Sequence, residues 1–135
     1  MSQENIEAFK RAVEANNRGD YEALLAEIDA DVEWHAAMQV AFGGQATVCR
    51  GHERVREYLR DLDEGFVERP VEISELRDLG ERIVAIGHVR GRGRVSGAEL
   101  DSPISFVAEF RDGKILRMSD YLDSKEALEA VGLSE

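Results

Sequence analysis

Apolar and polar residues alternate with two different periods along the chain, and the change falls near residue 70. Before it the spacing is helical. Ile6, Phe9 and Val13 recur at three- and four-residue intervals behind Ser2, a candidate N-cap, and Gly19 ends the run. Asp20 then stands where a cap belongs, ahead of Tyr21, Leu24, Leu25 and Ile28 on one side of a second helix. Residues 31–40 read as extended, with Val32, Trp34, Ala36 and Met38 sharing a face, and 41–50 as irregular around Gly43-Gly44. A third helix over about 52–64 carries the stripe Val55, Tyr58, Leu59 and Leu62, with Gly65 as its stop.

From Val71 onward the period is two. Strands are expected near 71–79, 82–94, 99–110 and 114–122, separated by Leu79-Gly80, Ser96-Gly97 and Asp112-Gly113. Turns this short imply antiparallel hairpins. Asp123-Ser124-Lys125-Glu126 has the spacing of a capping box and opens a last helix ending near Gly132. Helices first and a meander of strands later give the α+β class, with helices packed on one face of an antiparallel sheet.

The final strand raises a chemical question. One face carries Ile115, Arg117, Ser119 and Tyr121, and the other Leu116, Met118, Asp120 and Leu122. Asp120 therefore stands in an oily row. A carboxyl group desolvated there has a raised pKa, which suits a general acid or base near neutral pH. The competing readings are an edge-strand charge or a structural salt bridge to Arg90 or Arg92.

Composition narrows the partners. The 135 residues fit one domain spanning 1–135, and 43% hydrophobic residues can form a core. With 28 acidic and 17 basic side chains the formal net charge is -11, which repels phosphate backbones and anionic lipid, so neither nucleic acid nor membrane is an expected partner. The arginines of Arg90-Gly91-Arg92-Gly93-Arg94 fit one face of a bent strand better than an RNA-binding fragment. The first residues lack the basic start and oily run of a signal peptide, and Cys49 is the lone cysteine, so a reducing cytoplasm is expected. The three histidines and Cys49 have no zinc-like spacing, and no phosphate-cradling loop or nucleophile elbow occurs, so no metal or cofactor is expected.

The element order, with Asn17-Arg18-Gly19-Asp20, Asp31-Val32-Glu33-Trp34, Arg50-Gly51-His52-Glu53, Asp112-Gly113-Lys114-Ile115 and Tyr121-Leu122-Asp123, resembles the SnoaL-like branch of the ketosteroid isomerase and nuclear transport factor 2-like superfamily. The resemblance implies a cone-shaped α+β barrel whose curved sheet wraps around the third helix. It also implies an interior pocket for a small, mostly apolar molecule and a homodimer formed through the outer sheet face. Ketosteroid isomerases place a tyrosine donor where this chain has Ala12, and an aspartate base where it has Trp34, which argues against that mechanism. SnoaL-type cyclases use an acid on the last strand, five residues after the Ile of Gly-Lys-Ile, and that position is Asp120.

Alternation and resemblance thus converge on Asp120 as the catalytic candidate. His35 is its candidate partner if a bulge after Trp34 turns it inward; strict alternation leaves it facing solvent or a dimer contact. Trp34, Tyr58, Leu59, Phe106 and Met118 are the candidate ligand-binding residues. His88 is expected to be packed or at an interface, His52 to be a surface or capping residue, Asp123 a cap, and Cys49 inert. The function expected is acid/base catalysis without a cofactor, of isomerase, cyclase, dehydratase or hydrolase type, on a small hydrophobic carbonyl, hydroxyl or epoxide compound. The alternative is a non-catalytic binding or dimerisation module.

Overall fold

The computed structural model describes residues 2–42 and 44–133, with the side chains of Ser2, Ala41 and Phe42 left undescribed. The capping role of the Ser2 side chain and the conformation of Gly43 therefore lie outside the described residues. The elements run α1 (Ser2–Asn17), α2 (Tyr21–Ala26), β1 (Ile28–Ala36), a 3-10 turn (Met38–Phe42), β2 (Thr47–Arg50), α3 (Gly51–Gly65), β3 (Val71–Asp78), β4 (Arg82–Arg92), β5 (Glu99–Arg111), β6 (Lys114–Tyr121) and α4 (Ser124–Ala130). No described helix is long and apolar enough to cross a membrane.

The α+β class and the antiparallel hairpins β3–β4–β5–β6 follow the alternation. The Asp112-Gly113 turn takes positive φ at both residues, as a two-residue hairpin loop requires. The Asp20 side chain accepts the Ala23 N–H, and the Asp123 side chain accepts the Lys125 N–H, so both short helices start where a cap stands.

Two features depart from the sequence pattern, each because long-range pairing overrides local spacing. Ile28 opens β1 rather than ending α2: the Ile115 N–H donates to the Glu27 carbonyl and Ile28 pairs with Ile115. Residues 47–50 are a strand, β2, because Trp34 and His35 of β1 offer Cys49 and Val48 a ladder. The sheet order β2-β1-β6-β5-β4-β3 leaves β2 and β3 as edges, so the cone is an open sheet and not a closed barrel. Within it β1 and β6 run parallel.

The inner face of the sheet, α1 and α3 build the main core. Phe9 of α1 meets Phe106 of β5 with ring centroids 6.0 Å apart, and α3 buries Val55, Tyr58, Leu59 and Leu62. On the outer face, α4 packs Ala127 and Leu128 against Val84 and Val107. Asn17 ties α1 to β3, donating to the Val71 carbonyl and accepting the Val71 N–H. Arg90 pairs with Glu72 and Asp101 at the surface.

Candidate functional site

β6 breaks its own alternation. Ile115, Met118 and Asp120 are buried while Leu116 and Leu122 are half-buried, because the β5–β6 register shifts between Glu109 and Phe110. The row expected at Leu116, Met118, Asp120 and Leu122 is thus corrected to Ile115, Met118 and Asp120. Asp120 keeps its inward position and is 7% exposed.

The Asp120 carboxyl has two fixed donors. Trp34 Nε1–H donates to Oδ1 at 2.8 Å, and the Ala37 backbone N–H donates to Oδ2 at 3.0 Å. Ala37 is the first residue past β1, where the ladder has ended and its amide needs another acceptor. The salt bridge to Arg90 or Arg92 is not formed. Burial pushes the Asp120 pKa up to about 7, opposed by the Trp34 and Ala37 hydrogen bonds and by the more distant charge of His35. Among the described residues no salt bridge is made to Asp120.

A cavity of about 50 Å³ lies inside the main core. A buried water needs on the order of 10–15 Å³, so this space suits a small molecule of a few heavy atoms. Its walls include Trp34, Tyr58, Leu59, Phe106 and Met118, the residues picked as ligand-binding candidates, together with Ala12. Tyr58 meets Trp34 edge-on, with ring centroids 5.3 Å apart. Asp120 is not part of the wall. It reaches the cavity through Trp34, whose indole is wall on one side and donor to the carboxyl on the other.

His35 is not brought to the site. Its side chain is 45% exposed and bonded to Glu33 at 2.8 Å. The register shift in β1 falls between Ile28 and Glu33, upstream of Trp34, so the inward turn that His35 needed does not occur. His88 is exposed beside Asp101, and His52 Nε2 bonds the Ile28 carbonyl, fastening α3 to β1. Cys49 is fully buried, and burial pushes its thiol pKa up.

Two polar wall residues escaped the sequence reading, Asn16 and Arg69. Arg69 is buried: one terminal nitrogen donates to Asn16 Oδ1 at 2.9 Å, and the other to Tyr21 Oη at 2.6 Å and Asp63 at 3.4 Å. Nothing in Glu68-Arg69-Pro70 separates this arginine from the chain's other basic residues, because its burial comes from α1 and α2 folding over it.

Residues 9–118 match the model of the SnoaL-like domain. The chain belongs to the SnoaL-like family. No curated protein matches it. Among solved structures, an NTF2-like protein of unknown function from Burkholderia pseudomallei is similar over 96% of this chain and 98% of its own, at 25% identity and a TM-score of 0.77. TerC, co-crystallised with polyporic acid, is similar over 90% of this chain and 92% of its own, at 25% identity and a TM-score of 0.79. A candidate polyketide cyclase from Xanthomonas campestris pv. campestris shares the fold at 22% identity and a TM-score of 0.73, over 97% of this chain and 98% of its own. The SnoaL-like match stops two residues short of Asp120, so the weight on that carboxyl comes from its own geometry.

Proposed function

We propose that the protein is a small enzyme needing no cofactor, in which Asp120 moves a proton on an apolar molecule bearing a carbonyl, hydroxyl or epoxide. The observation that carries this reading is a carboxyl group 7% exposed behind a cavity wall, with no salt bridge among the described residues and with burial pushing its pKa up to about 7. Such a group is available both as acid and as base at neutral pH, and proton transfer from a placed side chain contributes about 10²–10⁴-fold in rate. The substrate enters the cavity and displaces the Trp34 indole from Oδ1, leaving the Ala37 N–H to hold Oδ2. The chemistry is then isomerisation, cyclisation, dehydration or hydrolysis. A solved protein of this fold is described as a candidate polyketide cyclase and TerC was crystallised with polyporic acid, but a cavity of about 50 Å³ fits only a molecule of a few heavy atoms, so the substrate taken here is a small apolar one.

A second reading, a binding module without catalysis, is favoured by one observation: both Asp120 oxygens already have donors and the group stands off the wall. Native mass spectrometry of gently purified protein identifies the class of any retained molecule, and turnover of that compound separates the readings. Asp120→Asn is expected to lose turnover by about 10²-fold or more while its Kd moves less than about threefold. Unchanged turnover in the variant sinks the acid–base role; wild-type binding without turnover leaves the binding module.

The homodimer belongs to the same proposal. Because α4 covers Val84 and Val107, the pairing face would be the uncovered remainder of the outer sheet surface. A monomer in sedimentation equilibrium at micromolar concentration would remove that part.

A further inference from the structure

Among the described residues, two buried side-chain polar atoms have no hydrogen-bond partner: Tyr58 Oη and Arg69 Nε. Both residues belong to the wall of the same cavity. Leaving a buried donor unpaired costs about 1–3 kcal/mol, more when it is charged, so two such donors around one void call for an explanation. The other Arg69 nitrogens are already engaged by Asn16, Tyr21 and Asp63. The Met38 backbone lies near the Tyr58 hydroxyl but out of hydrogen-bond geometry.

The two donors also share an electrostatic setting. The Tyr58 hydroxyl, whose pKa is raised chiefly by burial, lies within the field of both the Asp120 carboxyl and the Arg69 guanidinium. The remainder of the wall is almost wholly apolar, apart from the Trp34 N–H spent on Asp120 and the Asn16 amide bound to Arg69. Asn16 and Arg69 also line an outer groove with Tyr21, Asp63 and Pro70, which places the guanidinium at the boundary between the groove and the cavity.

We infer that the cavity selects an apolar molecule carrying an anionic oxygen, a carboxylate or an enolate, which accepts hydrogen bonds from Tyr58 O–H and Arg69 Nε–H. A carboxylate is the acceptor that satisfies both donors at once, and a guanidinium binds it in a charge-assisted bond. Arg69 then sets the charge specificity of the site and Tyr58 shares the oxygen. This rests on the cavity being the ligand site, as proposed above, and not on any proton transfer by Asp120.

The test uses butyrate and butyramide, which match in shape and differ in charge, at a pH where butyrate is ionised. Trp34 is the chain's one tryptophan and stands in the cavity wall, so its fluorescence reports occupancy. Butyrate is expected to saturate the signal with a Kd at least about tenfold below that of butyramide. Arg69→Gln is expected to abolish the preference. Tyr58→Phe removes an unpaired group, so it is expected to fold, and to weaken butyrate severalfold without changing the weak butyramide affinity. Asp120→Asn is expected to keep the preference, so that a failed acid–base role and a failed anion site give different results. Equal affinity for the two probes, no binding of either, or a preference that survives in Tyr58→Phe at full strength would each overturn the inference.

Discussion

Raising the pH from about 5.5 to about 7 should cost the wild-type protein about 2 kcal/mol of stability relative to Asp120→Asn. The Asp120 carboxyl has a folded pKa of about 7 against an ordinary value of 3.8. Between those values the folded chain holds a proton that the unfolded chain has released, so stability falls as pH rises. The stability tied to that proton is fully present below about pH 4 and is gone above about pH 7, an overall swing on the order of 4 kcal/mol at about 1.4 kcal/mol per pH unit. Asparagine has no proton to lose, so the variant lacks this slope. It carries instead a fixed cost, since one amide oxygen cannot accept from both the Trp34 and the Ala37 N–H, of about 1–3 kcal/mol. The comparison must be differential, because Glu22, Asp29 and Glu33 have depressed pKa values and lose stability in the opposite direction, as pH falls. Urea titrations of both proteins, kept above the isoelectric point near 4.8, measure the difference. Parallel pH profiles would mean that Asp120 is ionised in the fold throughout.

Gly87→Ala should destabilise the protein by about 3 kcal/mol, at the upper end for overpacking. A Cβ at Gly87 would sit 1.9 Å from the Glu72 carbonyl oxygen and 3.0 Å from Ile73 Cα. Both obstacles are backbone, so no side chain can turn aside. The close approach comes from the register shift in β3 between Ile73 and Glu75. Although β3 is an edge strand, it is not free to recede, because Asn17 holds both polar groups of Val71 and Val71 is cavity wall. The displacement should therefore also weaken ligand binding. A loss below about 1 kcal/mol in equilibrium urea unfolding would show that β3 yields easily.

What the sequence made legible followed from local rules. Period two placed four strands, glycines and caps placed helix ends, and the same alternation drew attention to Asp120. Asp120 is buried, as the alternation implied, but on a partly mistaken face: Ile115, assigned outward, is core, because a register shift in the hairpin lies between it and Met118. The parallel β1–β6 pairing and strand β2 left no trace in spacing, since both depend on partners far along the chain. Arg69 was invisible for a related reason. A buried guanidinium and a solvated one look alike in a sequence; only the closing of α1 and α2 over it, with Tyr21 and Asn16 as acceptors, makes it part of the interior. His35 failed in the opposite way, because the irregularity that would have turned it inward formed upstream.

The proposed chemistry requires that the buried Asp120 carboxyl change protonation near neutrality. Carbon-13 NMR of the protein labelled at aspartate side-chain carbons, with Asp120→Asn assigning the resonance, follows that group directly. A midpoint at about pH 7 is the predicted result. A midpoint within the ordinary aspartate range, below about pH 5, would contradict it.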